Sequence, residues 1–195
     1  MPMKPKLTPL ACEICILAGG LSQRMGRDKA RVRLGKRTML GQVQTAAATT
    51  GLPVRVIRRD CVPRCGPIGG IYTALSSTTS TAILFLACDM PFVTPDLMLL
   101  LVKNFQTSRK PLFVRSGPDG APGFPFVLSR ETLKLVSAQI ERGELSLGAL
   151  AKVLQAKSAR LPRSLAPQLT NINEPNDLEY AIRRRKFNNH HSTLR

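Results

Sequence analysis

The sequence has few of the residues on which several common kinds of site depend. It contains no Trp, two Tyr, and only 12 acidic residues against 29 Lys and Arg. Its two His residues, at 190 and 191, lie beside the C-terminus, so we expect no catalytic imidazole. No apolar run approaches the ~20 residues of a transmembrane helix, so we expect no membrane association. With few aromatic rings and no RNA- or DNA-binding signature, the net charge of +17 favours phosphorylated small molecules over nucleic acid.

The five cysteines are odd in number, and no secretory signal precedes them. Residues 1–11 are rich in proline and lack an apolar core, so we predict a cytoplasmic protein with reduced thiols. Cys12 and Cys15 could form a zinc site with Cys61 and Cys65. A regular strand would point Cys12 and Cys15 to opposite faces of a sheet, and this favours buried apolar thiols instead.

An apolar segment near the N-terminus ends in a glycine-rich loop. Residues 14–18 are typical of a buried parallel strand. The loop contains Gly19, Gly20, Arg24 and Lys29, and backbone amides at glycines together with cations are suited to bind phosphates. The spacing fits neither the P-loop nor the G-x-G-x-x-G dinucleotide motif. An ordinary βα turn with solvated cations is the alternative.

Strands and helices alternate along the rest of the chain, which predicts one α/β domain over residues 12–186 with a flexible leader (1–11) and a flexible tail (187–195). We expect strands at 53–57, 81–87, 112–114, 126–128 and 169–172, with a loop at 116–125. We expect helices at 38–50, 66–77, 95–105, 130–142 and 146–155, and another from residue 175. Asp60 and Asp89 each follow a predicted strand, where ligands bind in open α/β sheets. A carboxylate in that position suits Mg²⁺, and the alternative for Asp89 is a purely local role in a turn.

Four motifs resemble those of one enzyme family, the molybdenum cofactor guanylyltransferases within the MobA-like nucleotidyltransferases. LAGGLSQRMGRDK at 17–29 resembles their signature loop, and GPIGGI at 66–71 is similar to their Gly-Pro-Leu-Ala-Gly-Ile stretch. CDMP at 88–91 resembles their Cys-Asp-x-Pro metal motif, and NINEPNDL at 171–178 resembles their Asn-x-Asn-Thr-Pro-Glu-Asp-Leu. The resemblance implies a three-layer α/β/α, Rossmann-like fold with a mostly parallel sheet. Only one strand is predicted between Gly51 and Asp60, so the sheet should be one strand–helix unit shorter than is usual in that family.

The same resemblance implies an activity: transfer of GMP from Mg-GTP to the terminal phosphate of molybdenum-molybdopterin, with release of pyrophosphate. The alternatives are cytidylyl transfer to molybdopterin, transfer to another phosphorylated acceptor, or a basic nucleic-acid-binding module. Implied protein partners are molybdenum-insertion proteins or molybdoenzyme chaperones. The turn at residues 17–20 resembles that of the guanylyl-transferring branch, whereas the cytidylyl-transferring branch tends to have Ala at the position of Gly19. We therefore expect GTP to be preferred over CTP.

The resemblance also assigns roles to individual residues. The expected catalytic residues are Arg24, Lys29 and Asp89, and Asp89 is also the expected Mg²⁺ ligand. The expected nucleotide-binding residues are Leu17, Ala18, Gly19, Gly20, Lys29, Asp60 and Asp89, and the expected substrate-binding residues are Gly69, Asn171 and Asn173. An Asn that precedes a helix can also be a simple cap, which is the alternative for Asn171 and Asn173.

Overall fold

The computed structural model describes residues 11–19, 31–116, 119–174 and 176–183. The strands are β1 (Cys12–Leu17), β2 (Arg33–Leu34), β3 (Arg37–Thr38), β4 (Val54–Ile57), β5 (Ala82–Ala87), β6 (Leu112–Ser116), β7 (Ala121–Ser129) and β8 (Lys157–Ser158). The helices are α1 (Met39–Ala48), α2 (Gly66–Ser77), α3 (Pro95–Ser108), α4 (Leu133–Glu141), α5 (Leu147–Val153) and α6 (176–183). Two 3-10 segments, Arg130–Thr132 and Arg163–Leu169, complete the regular structure of the described residues.

Six strands form one mixed sheet in the order β4-β1-β5-β7-β6-β8, and β2 and β3 form a separate hairpin. β1 pairs in parallel with β4 and β5, β8 pairs in parallel with β6, and β7 runs antiparallel to its neighbours β5 and β6. The predicted mostly parallel sheet is therefore confirmed. A single strand, β4, connects α1 to α2, as the sequence predicts.

Alternate side chains of β1 enter two apolar layers. Ile14 and Ile16 pack in the layer that contains the buried residues of α1 and α3. Cys15 and Leu17 pack in the opposite layer with residues of α2, α4 and α5. β5 is buried on both faces from Ala82 to Leu86, as expected for a central strand between helical layers. The result is the predicted three-layer α/β/α arrangement.

The cysteines follow the same division between layers. Cys12 lies in the α1 and α3 layer and Cys15 in the opposite one. Burial raises the pKa of the Cys12 thiol to about 11 and that of Cys15 to about 12, so both stay protonated at neutral pH. Within the described residues, no three His, Cys, Asp or Glu side chains are grouped as a metal site would require. For Cys12 and Cys15, which lie on opposite sides of the sheet, the structure therefore supports buried thiols rather than ligands of one zinc ion.

The loop predicted over residues 116–125 is too long, because β6 extends to Ser116 and β7 already begins at Ala121. The first half of β7 is bonded only to β6, with Pro122 opposite Arg115. β5 is paired with β7 only from Phe126 onward. Proline cannot donate to a ladder, but it is accommodated where a strand has a neighbour on one side only. Pro122 and Pro125, which contributed to the loop prediction, therefore lie in a strand.

The strand predicted over residues 169–172 is also wrong. Residues up to Leu169 form a 3-10 segment, and the backbone N–H of Ile172 donates to Asp89 O at 2.9 Å instead of joining a sheet. The Ile172 side chain packs in a small cluster of buried residues with Val32, Leu34, Met39 and Ala181. The last strand of the sheet is β8, which consists of two exposed residues and carries no hydrophobic pattern by which it could be predicted.

Helix boundaries agree better, because caps are local in sequence. Thr38, at the start of the predicted first helix, caps α1 by accepting a hydrogen bond from Gly41 N at 3.0 Å. The helix predicted from residue 130 opens with a 3-10 turn and becomes α-helical at Leu133. None of the helices in the described ranges is long and apolar enough to cross a membrane.

Candidate active site

Three parallel strands end side by side and define one edge of the sheet. Leu17, the last residue of β1, pairs with Ile57 of β4 and with Ala87 of β5. Beyond the strand ends, Ala18 N–H donates to Ile57 O at 2.8 Å, and Cys88 N–H donates to Leu17 O at 3.1 Å. These bonds hold the segments that carry Gly19, Asp60 and Asp89 at the same edge, where open α/β sheets bind ligands.

The residues predicted from the signature loop occupy different environments. Leu17 is 9% exposed and its side chain packs toward α2, so only its backbone is available to a nucleotide. Ala18 is half-buried and Gly19 is exposed at the sheet edge. Gly20, Arg24 and Lys29 lie outside the described residues.

Asp60 lies between the end of β1 and the first turns of α2. A Cβ atom added to Gly19 would be 3.7 Å from Asp60 Oδ1, and one added to Gly70 would be 3.3 Å from the same oxygen. A Cβ added to Gly69 would be 3.1 Å from Asp60 Oδ2. We refer to Gly19, Gly69 and Gly70 as the glycine cluster, because together they leave room for this carboxylate.

The environment of Asp60 changes its acidity. Partial burial raises the pKa of the Asp60 carboxyl above its usual range, since desolvation penalises the charged form. Arg58 and Arg59 precede it as exposed residues, so the loop presents positive charge to solvent beside a single half-buried carboxylate. A perturbed carboxylate at a sheet edge is the kind of group found in functional sites.

Asp89 follows β5 on a short turn and is half-buried, with its Oδ1 atom shielded from solvent. Its backbone oxygen accepts the hydrogen bond from Ile172 N–H described above. This bond connects the turn after β5 to a segment far along the chain. It also places Asn171 and Asn173, the two neighbours of Ile172, beside the Asp89 turn.

The two asparagines differ in their local roles. Asn171 is exposed, whereas Asn173 is half-buried and its backbone N–H donates to Asp177 Oδ2 at 2.8 Å. Glu174 N–H donates to the same oxygen at 3.0 Å, so Asp177 satisfies the amides that precede α6. Asp177, which lies in the first turn of α6, therefore holds the end of the segment that carries the two asparagines.

The described residues fit a hard divalent cation at Asp89 only if a ligand completes its coordination. In the described ranges Asp89 belongs to no group of three acidic, His or Cys side chains, so the protein alone does not form a complete cage for a cation. Mg²⁺ is commonly held by one or two carboxylates together with substrate phosphates and water. The donor set therefore suits a cation that arrives with a phosphorylated ligand.

Two residues at this edge were not singled out by the sequence as site residues. Gly70 forms part of the glycine cluster, and the Gly-Gly pair in α2 is the signal that could have identified it. Ile172 anchors Asp89 through its backbone, and its position between two candidate asparagines was the only available hint.

Comparison with known proteins identifies the family. A family model described as the MobA-like NTP transferase domain matches residues 14–60 and 41–161, which together cover more than half of the chain. A protein of Rhizobium leguminosarum named molybdenum cofactor guanylyltransferase is 29% identical over 188 residues, covering 86% of this chain and 90% of the relative. A protein of Methanothermobacter thermautotrophicus named probable molybdenum cofactor guanylyltransferase is 27% identical over 190 residues, covering 85% and 96%.

Solved structures show the same fold. The molybdopterin-guanine dinucleotide biosynthesis protein A of Archaeoglobus fulgidus superimposes with a TM-score of 0.71 at 20% identity, covering 88% of this chain and 97% of that one. A Mycobacterium tuberculosis protein, Rv0371c, crystallised as a complex with manganese, has a TM-score of 0.60 at 17% identity, with 90% and 100% covered. The sequence match to the family model, on a fold in which Gly19, Asp60 and Asp89 share one sheet edge, shows that this chain belongs to the MobA-like NTP transferase family of nucleotidyltransferases.

Proposed function

We propose that this chain transfers GMP from GTP to the terminal phosphate of molybdenum-molybdopterin and releases pyrophosphate. The observation that carries the proposal is the meeting of Gly19, Asp60 and Asp89 at one sheet edge. Its support from relatives is that proteins named molybdenum cofactor guanylyltransferase align with about 85% of the chain.

The reaction needs positioning and charge neutralisation more than a base. An oxygen of the acceptor phosphate, already anionic at neutral pH, forms a bond to the α-phosphorus of GTP. The bond from that phosphorus to the β-phosphate oxygen breaks, and pyrophosphate leaves with the electron pair. No proton has to be removed from the nucleophile, so the chemistry does not depend on a catalytic His.

We assign charge neutralisation to the cations of the signature loop. Lys29 and Arg24, both outside the described residues, would bind the phosphates and offset the charge that develops on pyrophosphate. Gly19 and Gly20 would let backbone N–H groups approach the same phosphates. Asp89 is the residue that would hold Mg²⁺, which supplies further positive charge to the triphosphate when bound.

We propose that Asp60 binds the nucleoside of GTP and that the acceptor binds on the Asp89 side of the same sheet edge. An ionised carboxylate only accepts hydrogen bonds, and guanine offers ring and exocyclic N–H donors. Asn171 and Asn173, beside the Asp89 turn, would lie toward the pterin, and Gly69 was expected there as well. We place the reaction in the cytoplasm, with a molybdenum-insertion protein or a molybdoenzyme chaperone exchanging the cofactor, on the family resemblance alone.

Competition among nucleotides tests the proposal. GTP, CTP and ATP at equal concentration, with Mg²⁺ and the molybdenum-bearing pterin, should give mainly the guanine dinucleotide by mass spectrometry. We expect a preference of roughly 10- to 200-fold, because the branches differ by about one methyl group at the position of Gly19. Equal use of the three would refute guanylyl transfer but not nucleotidyl transfer, and no pyrophosphate release with any acceptor would refute both.

A further inference from the structure

We propose that Gly69, which stands where the family's Gly-Pro-Leu-Ala-Gly-Ile stretch has Ala, is a positioning residue for Asp60 in this chain and not a substrate contact. The loop over residues 60–65 packs so closely on α2 here that residue 69 has no room for a side chain. The expected effect on nucleotide binding rests on the proposed function. The structural part of the proposal concerns only how the loop that carries Asp60 lies against α2.

The loop approaches α2 too closely for any side chain at this position. A Cβ added to Gly69 would lie 2.9 Å from Val62 O, 3.1 Å from Asp60 Oδ2 and 3.2 Å from Cys65 Cβ. The nearest of these atoms is a backbone oxygen, which cannot rotate away as the end of a side chain can. A methyl group at residue 69 must therefore displace the loop over residues 60–65.

Other contacts hold the loop against the same helix, so a displacement would not be confined to Val62. Cys61 N–H donates to Thr73 Oγ1 at 2.9 Å, and Thr73 Oγ1 donates to Gly69 O at 2.8 Å. Cys61 is the residue that follows Asp60. These hydrogen bonds thus tie the backbone that follows Asp60 to the helical turn that contains Gly69.

The other members of the glycine cluster limit the carboxylate from different sides. A Cβ on Gly70 would be 3.1 Å from Leu17 Cδ1 and 3.3 Å from Asp60 Oδ1. A Cβ on Gly19 would be 3.0 Å from Arg58 O. The direction in which a Gly69 side chain would extend is filled by Val62 O, Asp60 Oδ2 and Cys65 Cβ, which argues against a substrate contact on that side.

A misplaced carboxylate should weaken nucleotide binding without impairing phosphoryl chemistry. Asp60 is assigned to the nucleoside, away from the reacting phosphates, so Gly69→Ala should raise KM for GTP about tenfold and leave kcat within about twofold. The preference for GTP over CTP should fall with it, because recognition of the base depends on the position of that oxygen.

A double-mutant cycle in GTP binding distinguishes positioning from general damage. Calorimetric titration with GTP, without acceptor, would compare the wild type, Gly69→Ala, Asp60→Asn and the double variant. We expect the double variant to bind as weakly as Asp60→Asn alone, since Gly69 acts through the Asp60 carboxylate. Additive losses, or unchanged binding by Gly69→Ala, would overturn the proposal. Gly148→Ala in α5 is the matched control, because its Cβ would meet only Ser146 Oγ at 4.0 Å.

A second measurement does not depend on GTP being the ligand. Carbon-13 NMR titration of the Asp60 carboxyl should give a pKa closer to the usual range in Gly69→Ala, because the displaced group is better hydrated. An unchanged pKa would refute the structural part of the proposal, whereas a changed pKa without GTP binding would refute the proposed function alone. If Gly69→Ala does not fold by circular dichroism, Thr73→Val goes through the same cycle and titration. It removes the hydroxyl that holds Cys61 N–H on the turn of Gly69, so the same outcomes decide whether the packing of this loop on α2 positions Asp60.

Discussion

Asp89 combines a local and a long-range role in one residue. Its carboxylate lies on the turn after β5, and its backbone oxygen is bonded to Ile172. Asp89→Asn keeps the shape of the side chain but removes the negative charge that would hold Mg²⁺. We expect the folded protein to lose turnover by on the order of 100-fold, measured as pyrophosphate release over a Mg²⁺ titration. Asp96→Asn, an exposed change in the first turn of α3, is the control. Normal Mg²⁺-dependent rates in Asp89→Asn would contradict the metal assignment.

We expect the ionised Asp60 carboxylate to lower the stability of the folded protein. Its pKa in the folded protein is raised, so the folded state binds this proton more readily than the unfolded chain does. The stability linked to this proton is fully present below the ordinary aspartate pKa of about 3.9 and is lost as pH rises through the raised value. Asp60→Asn should therefore have a higher Tm than the wild type at pH 7, with the gap closing as pH falls toward about 4.

Thermal denaturation of both proteins across that pH range measures the effect. Asp119→Asn, at an exposed turn residue, is the control for removing one negative charge from a strongly basic protein. A lower Tm of Asp60→Asn at pH 7 would show that the carboxylate stabilises the fold. A gap that is the same at every pH would show that the titration of Asp60 does not cause it. Weaker GTP binding combined with a higher Tm would identify a group kept for function.

The segment around α6 braces the turn that carries Asp89. Ile172 is fully buried against Val32, Leu34 and Met39, so it links the β2–β3 hairpin and the start of α1 to the edge where Asp89 lies. Ile172→Ala should cost about 2–5 kcal/mol of unfolding free energy through the cavity it leaves. It should also raise the Mg²⁺ concentration needed for half-maximal turnover, because the anchor of the Asp89 backbone is loosened.

Denaturant unfolding and Mg²⁺ titration of turnover would test this in parallel. Ile182→Ala is the matched control, since the same truncation in α6 removes a side chain that is 37% exposed. If Ile172→Ala lowers stability but leaves the Mg²⁺ dependence unchanged, the segment supports the fold and not the Asp89 turn.

The net charge of +17 acts on the whole molecule in two opposing ways. Self-repulsion among the cations destabilises the compact state, while the same field attracts an anionic nucleotide. Raising NaCl from about 10 to about 150 mM shortens the screening length from about 30 to about 8 Å. We expect the Tm to rise and the KM for GTP to increase several-fold over this range. Potassium glutamate at matched ionic strength controls for specific effects of chloride. A KM that does not respond to salt would show that the positive field lies away from the nucleotide site.

The positions of the aromatic rings argue against a surface that binds single-stranded nucleic acid. Phe85, Phe105, Phe113 and Phe126 are buried, and three of them stack on one another inside the sheet. Tyr180, at 60% exposed, is the only large aromatic side chain in the described ranges that is strongly exposed. Single-stranded nucleic acid is bound largely by bases stacking on exposed rings, and these rings are in the core instead.

Much of the fold could be predicted because its signals are local. The uniformly apolar run that becomes β5, the Thr38 cap of α1 and the carboxylates after β4 and β5 each depend on a few neighbouring residues. Parallel strands joined through helices then require those carboxylates to meet at one edge. The order of motifs therefore determined the family, the sheet edge and the candidate residues Asp60 and Asp89. The roles of all the predicted site residues, Asp60 and Asp89 included, remain predictions.

Only the tertiary structure decided how the site is held together. Two of its contacts join separate segments of the chain: Val62 O approaches Gly69, and Ile172 N–H donates to Asp89 O. The place of Pro122 in a strand depends on that part of β7 having only β6 as a neighbour. Burial and close packing set these contacts, and neither leaves a periodic signal in the chain. The sequence thus determined which groups this protein brings to its site, and packing between distant segments determined where each is held, because their positions follow from three-dimensional fit.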